Sequence, residues 1–260
     1  MGFHSFRKAL LERRVTIGTW LQINSPTAAE VLAHAGYEWI AIDIEHTDID
    51  IVSLTALLRG MYGRGAAPIA RVATNDVMDI RRALDVGAAG VLVPFVSTPD
   101  QARQAVAAAK YPPQGVRGFS FCRANNWVVD FVAEARSAND RTSVIVMVES
   151  VQGVENVEEI VAVDGVDAIF IGPYDLSGSY GMPGQTQAPI VQAACRRVVQ
   201  ACERAGKAVG LLVVRPAPEV VQQAIDDGFT LICLGIDTVF LDEGARAARA
   251  LALSVLESKP

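Results

Sequence analysis

The strongest constraint on this chain is a rhythm. Eight short apolar runs rich in β-branched residues, at 16–23, 39–46, 68–72, 90–96, 142–149, 168–172, 208–214 and 230–235, recur along its 260 residues. Most are apolar at nearly every position, the pattern of strands buried on both faces of a parallel sheet. Between them lie segments with apolar residues three and four apart, at 27–35, 49–61, 77–86, 99–109, 154–161, 189–205 and 216–227, the spacing of amphipathic helices. Ala35-Gly36, Val86-Gly87, Ala205-Gly206 and Asp227-Gly228 each stand just before an apolar run, and glycine there accepts the left-handed conformation that ends a helix. Eight strand–helix units in about 250 residues predict a (β/α)8 TIM barrel, α/β in class and one domain over residues 1–260. The competing arrangement is a doubly wound open sheet. Its first strand–helix turn should carry a glycine-rich phosphate loop, and Asn24-Ser25-Pro26-Thr27 has none.

Composition narrows the function. Half the residues are apolar (51%), enough for a large core. The net charge is −6 and no basic run appears, which argues against nucleic acid as the main partner. Cys122, Cys195, Cys202 and Cys233 form no CxxC pair and read as reduced thiols of a cytoplasmic protein. Neither a signal peptide nor an apolar membrane span is expected. The chain has four lysines against nineteen arginines. Lys8 and Lys259 are terminal, Lys110 closes a helix and Lys207 precedes the seventh run, so none stands at a strand's C-terminal end. Schiff-base chemistry, which needs a lysine in the site, is thereby disfavoured.

In such a barrel the site lies at the C-terminal ends of the strands. Five runs end in ionisable groups: Asp43-Ile44-Glu45-His46, Arg71, Glu149, Asp175 and Asp237. The strand bodies are almost free of charge, and isolated buried charges are costly, so the ring predicts a polar mouth. Glu149 and Asp175 end neighbouring strands, and two carboxylates so placed suit a hard divalent cation with positions left for water and substrate. The plainer reading of Asp175 is a helix N-cap. His46, three residues after Asp43, is the candidate general base, its tautomer set by that carboxylate; the alternative is an exposed loop histidine. Arg71 can hold a carboxylate or a developing oxyanion with fixed donors, or serve a structural ion pair. A long insertion at 110–141 breaks the rhythm and is expected to loop over the mouth.

Taken together, Gly18-Thr19-Trp20-Leu21, Asp43-Ile44-Glu45-His46, Arg71, Leu84-Asp85-Val86-Gly87-Ala88, Tyr111-Pro112-Pro113-Gln114-Gly115-Val116-Arg117-Gly118, Glu149-Ser150 and Phe170-Ile171-Gly172-Pro173-Tyr174-Asp175-Leu176-Ser177 resemble the HpcH/HpaI aldolase family, the class II, metal-dependent pyruvate aldolases. The likeness runs from about residue 5 to 255 in order. It implies reversible retro-aldol cleavage of a 4-hydroxy-2-oxo acid to pyruvate and an aldehyde. It implies Mg²⁺, Mn²⁺ or Co²⁺ at Glu149 and Asp175 and no organic cofactor. The backbone N–H groups of Tyr174 and Asp175 would meet the oxo acid's carboxylate, with Gly172, Pro173 and Tyr174 as substrate-binding positions. Arg71 would stabilise the enolate, and His46, oriented by Asp43, would be the base. Asp85 would reach a neighbouring subunit's histidine, and Trp20 and Leu212 would shape the aldehyde pocket. A hexamer built as a trimer of dimers, with the C-terminal helix at 240–256 swapped, is also implied.

Two departures stand out. Met147 replaces a glutamine that several members carry two residues before the ligating glutamate. The loop at 119–127 also differs, and its Arg123 suits an acidic aldehyde, or is a surface or interface arginine. A citramalyl- or malyl-CoA-type C–C lyase is the second reading, and would need a cationic groove that the sequence does not show. A non-catalytic barrel that binds oxo acids is the third.

Overall fold

In the computed structural model, which describes residues 3–128 and 131–257, the apolar runs form β1 (Thr16–Leu21), β2 (Trp39–Asp43), β3 (Ala67–Arg71), β4 (Gly90–Val93), β5 (Ser143–Val148), β6 (Ala168–Ile171), β7 (Ala208–Val213) and β8 (Leu231–Ile236). They close into a barrel in sequence order, every pairing parallel. Around it run α1 (Phe3–Leu11), α2 (Pro26–His34), α3 (Ile51–Gly60), α4 (Val77–Asp85), α5 (Pro99–Ala109), α6 (Phe131–Arg141), α7 (Val151–Glu155), α8 (Val157–Val161), α9 (Pro173–Ser179), α10 (Pro189–Arg204), α11 (Pro218–Asp226) and α12 (Asp237–Glu257). The chain is thus the single (β/α)8 barrel that its rhythm predicts. No helix among the described residues is long and apolar enough to cross a membrane, and all four cysteines are free thiols.

The two-residue period of each strand separates two apolar layers. Ile40, Ile42, Val91, Val144, Val146, Ile169 and their like face the helices. Trp39, Ala41, Ala67, Ile69, Leu92, Ile145, Met147, Phe170 and Cys233 fill the barrel. Large and small residues interlock there. A Cβ on Gly18 would lie 2.2 Å from the Trp39 ring, and one on Gly210 would lie 2.6 Å from the Phe170 ring. Carried one step further, the inward parity places Asp43, Arg71 and Glu149 inside the mouth.

Helix α1 stoppers the opposite end. Its Phe6 and Leu10 belong to the interior cluster, and Phe6 meets Trp39 at 6.2 Å between ring centroids. Arg7 Nε donates to both oxygens of buried Asp167 at 3.1 Å, fixing the stopper to the start of β6.

The insertion at 110–141 does not loop over the mouth. It follows a helix and precedes a strand, and helices here run antiparallel to strands, so it lies at the base. Arg117 pairs with Asp85 at the end of α4 at 2.7 Å. Arg123 donates to the carbonyls of Val86 at 3.0 Å and Leu58 at 3.4 Å. Lys110 is buried and gives its ammonium to the carbonyls of Asn139 and Thr142, both at 2.6 Å. Lys207 bonds the Val166 carbonyl at the same end, and Lys259 lies outside the described residues. The C-terminal helix α12 begins on β8, meets β1, and exposes every residue from 241 to 257, Leu241, Leu251 and Leu256 among them.

Candidate active site

Asp43 is the hub of the mouth. It ends β2 opposite Arg71 at the end of β3, and both side chains point inward. Arg71 Nε donates to Oδ1 at 3.0 Å and Nη2 to Oδ2 at 2.5 Å, a bidentate pair. Oδ2 also accepts from Trp20 Nε1 at 3.2 Å and Gln22 Nε2 at 3.1 Å. Oδ1 accepts the backbone N–H groups of Glu45 and His46. Burial alone would raise Asp43; Arg71, Gln22 and Trp20 outweigh it and hold the carboxyl below its usual range. The Arg71 guanidinium lies over the Trp20 ring, 4.8 Å from its centroid, a cation–π contact. Trp20 is therefore the floor beneath Arg71 and is itself buried.

Arg71 has a second carboxylate. Its Nη1 stands 3.0 Å from Glu45 Oε2, and the same oxygen lies 3.6 Å from His46 Nε2. The ring of His46 is thus turned to Glu45 and is not oriented by the Asp43 side chain. Asp43 is saturated by other donors and reaches His46 only through its backbone. Burial pushes Glu45 up, against the pull of Arg71 and His46. The His46 side chain is 57% exposed. Sequence reasoning missed Glu45 as a site residue. Its signal was available: it is the acid between Asp43 and His46 at a strand end.

Glu149 follows β5 and is 2% exposed. Its Oε1 accepts the Phe95 N–H at 2.7 Å. On the other side stands Gly172, where a Cβ would come within 2.5 Å of Oε2; glycine is what admits the carboxylate. Burial raises Glu149 to about 7, opposed by the Phe95 N–H and reinforced by the charges of Asp175 and Glu45. Asp175 sits exposed in the first turn of α9, behind Pro173 and Tyr174. A deeply buried carboxylate with a second, wetter one beside it is a donor set that fits a hard cation. Among the described residues no three His, Cys, Asp or Glu side chains converge as a full cage, so an ion there would keep positions for water and substrate.

The remaining expected residues separate. Leu212 packs against the barrel interior. Gly172 is buried and Tyr174 exposed at the mouth. Asp85 and Arg123 lie at the base, away from the mouth of their own barrel. Arg123 is held by two helix ends and lies near the Tyr62 ring, so within one chain it lines no aldehyde pocket. Asp237 leaves the ionisable ring as well: it accepts the N–H groups of Gln22, Ile23 and Thr238 at 2.8–2.9 Å and clamps β1 to α12.

Comparison with known proteins then decides the family. The model of the HpcH/HpaI aldolase/citrate lyase family matches residues 16–242. This chain belongs to that family. It is 38% identical over 253 residues to the 4-hydroxy-2-oxo-heptane-1,7-dioate aldolase of Shigella sonnei, across 96% of this chain and 94% of that protein. An HpcH/HpaI aldolase/citrate lyase family protein from Burkholderia cenocepacia J2315 superposes with a TM-score of 0.92 at 35% identity, covering 96% of this chain and 99% of the other. An HpcH/HpaI aldolase from Desulfitobacterium hafniense DCB-2 gives 0.87 at 27% identity, covering 98% and 97%. As a member, this HpcH/HpaI protein is a carbon–carbon lyase, an aldolase acting on small molecules.

Proposed function

We propose that this aldolase reversibly cleaves a 4-hydroxy-2-oxo acid to pyruvate, or a close 2-oxo acid, and an aldehyde. The observation that carries the reading is Arg71, clamped between Asp43 and Glu45 with its donors fixed at the mouth that Glu149 also lines. The Shigella sonnei relative, named for a hydroxy-oxo-diacid, supports it.

Glu149 and Asp175 would hold the divalent ion, Mg²⁺, Mn²⁺ or Co²⁺, which when bound supplies Lewis acidity at the oxo acid. The N–H groups of Tyr174 and Asp175, beyond Gly172 and Pro173, receive the substrate carboxylate. His46 takes the 4-hydroxyl proton at Nε2, the C3–C4 bond breaks, and its electron pair moves into the enolate. Arg71 faces the negative charge as it develops, with a geometry its two carboxylates have already set, so little reorganisation is needed. The proton held by His46 is returned to C3, which restores the base and releases the oxo acid. Trp20 and Leu212 border the space for the aldehyde. No organic cofactor enters this scheme.

Asp85 and Arg123 can serve a site only from a neighbouring subunit. The exposed leucines of α12 support association with other copies of the chain; the proposed form is a hexamer with swapped C-terminal helices, in the cytoplasm. The test is proton exchange at the pyruvate methyl, followed by NMR with EDTA and then with each metal ion. Metal-dependent exchange supports the reading; no exchange with any ion in folded protein overturns it.

A further inference from the structure

Glu149 is steadied from both flanking strands. Gly172, after β6, leaves room for its Oε2, and Phe95, after β4, donates its backbone N–H to Oε1 at 2.7 Å. That N–H is aimed from an unusual backbone. Phe95 has φ +52°, the left-handed region, where Cβ crowds the carbonyl oxygen of an L-residue. Glycine or asparagine is the ordinary occupant of such a position.

The neighbours hold Phe95 there. Val96 is fully buried and its N–H bonds the Met147 carbonyl at 3.1 Å. Ser97 Oγ lies 2.6 Å from Ser150 Oγ, and the Ser97 carbonyl accepts from Asn156 Nδ2 at 2.8 Å. Thr98 then caps α5 in a reciprocal box with Gln101. Residue 95 is pinned between Pro94 and this lattice of bonds, and strain persists where surroundings over-determine it. The phenyl ring gives little packing in return, because the residue is 51% exposed. What the conformation does achieve is the bond to Glu149.

We propose that Phe95 is a positioning residue of the site: its left-handed backbone fixes Oε1 of Glu149, so that Oε2 is the oxygen presented to the cation. The inference rests on the reading of Glu149 as a cation ligand.

The test is Mn²⁺ binding to the full-length protein, followed by the electron paramagnetic resonance of free Mn²⁺, for wild type and F95G, F95N, F95A and F95V. All four variants remove the ring; only the first two accept a positive φ without strain. F95G, F95N and F95A ask no more of the backbone than phenylalanine does and should bind Mn²⁺ within about threefold of wild type, whereas β-branched F95V should bind about tenfold or more weakly. The melting temperature of metal-free F95G should match or exceed that of wild type. Equal weakening in all four would assign the effect to the ring and overturn the proposal. Wild-type affinity in folded F95V would overturn it too. If F95V does not fold, F95T, β-branched but polar at this half-exposed position, takes its place, and wild-type affinity in F95T sinks the idea. Wild type that binds no Mn²⁺ would instead bring down the cation site itself.

Discussion

Arg71 holds Asp43 with two N–H groups, Nε on Oδ1 at 3.0 Å and Nη2 on Oδ2 at 2.5 Å, across adjacent strands. Both side chains are buried, so neither is dispensable to the other. Removing one partner of a buried pair leaves an uncompensated charge, at a cost of about 3–5 kcal/mol. Asp43→Ala should therefore lower thermal stability markedly and lose pyruvate proton exchange. A melting temperature within a degree or two of wild type would show that Trp20, Gln22 and Glu45 hold Arg71 without it.

Arg71→Lys keeps a charge but not the planar fork that spans Asp43 and Glu45. Exchange and cleavage should fall together, by roughly 10²–10³-fold in rate, with a smaller effect on stability than Asp43→Ala. Unchanged exchange with slowed cleavage would move Arg71 from the enolate to the aldehyde half.

Glu149 gives the metal-free protein a pH signature. Its folded pKa of about 7 stands above the ordinary 4.5. Between those values the folded state holds more protons than the unfolded one, so stability falls as pH rises from about 4.5 to about 7. The loss is at most about 3 kcal/mol for a shift of this size. Melting curves across that window, in EDTA, should show the slope in wild type and flatten in Glu149→Gln. An equal slope in the variant would place its source elsewhere.

Gly172→Ala tests the cradle. The added methyl would meet Glu149 Oε2 at 2.5 Å, closer than any ordinary contact, so the carboxylate must shift. Mn²⁺ affinity should drop about tenfold or more, 1.4 kcal/mol being a factor of ten, while circular dichroism stays native. Full affinity would show that Glu149 has room to move.

The exposed apolar face of α12 predicts an oligomer. Light scattering should give a multiple of the 27.7 kDa chain mass, and truncation before Leu241 should lower that multiple. A wild-type monomer would remove the swapped assembly and, with it, any role for Asp85 in a neighbour's site.

The barrel was legible because strand periodicity and helix-ending glycines are local signals. So was the mouth, since inward parity carries from Trp39 to Asp43 and from Ile145 to Glu149 without knowledge of distant contacts. What failed was long-range. The partner of a carboxylate cannot be read from spacing: Asp43 and His46 are three apart, yet Asp43 spends its oxygens on Arg71, 28 residues away. The insertion was misplaced because its aromatic content suggested function, when its position between a helix and a strand already set it at the base. Phe95 escaped notice because the contribution comes from its backbone.

Helix α1 caps a barrel that is already packed solid. The side chains that fill its interior, with Phe6 and Leu10 across the far end, leave no axial channel, so whatever binds at the mouth must also leave by it. On the proposed function, the fragment held deeper, against Glu149 and Arg71, would wait for the one nearer the rim. Depth at the mouth would then set the sequence of departure: aldehyde first and oxo acid last in cleavage, with the reverse order of arrival in synthesis.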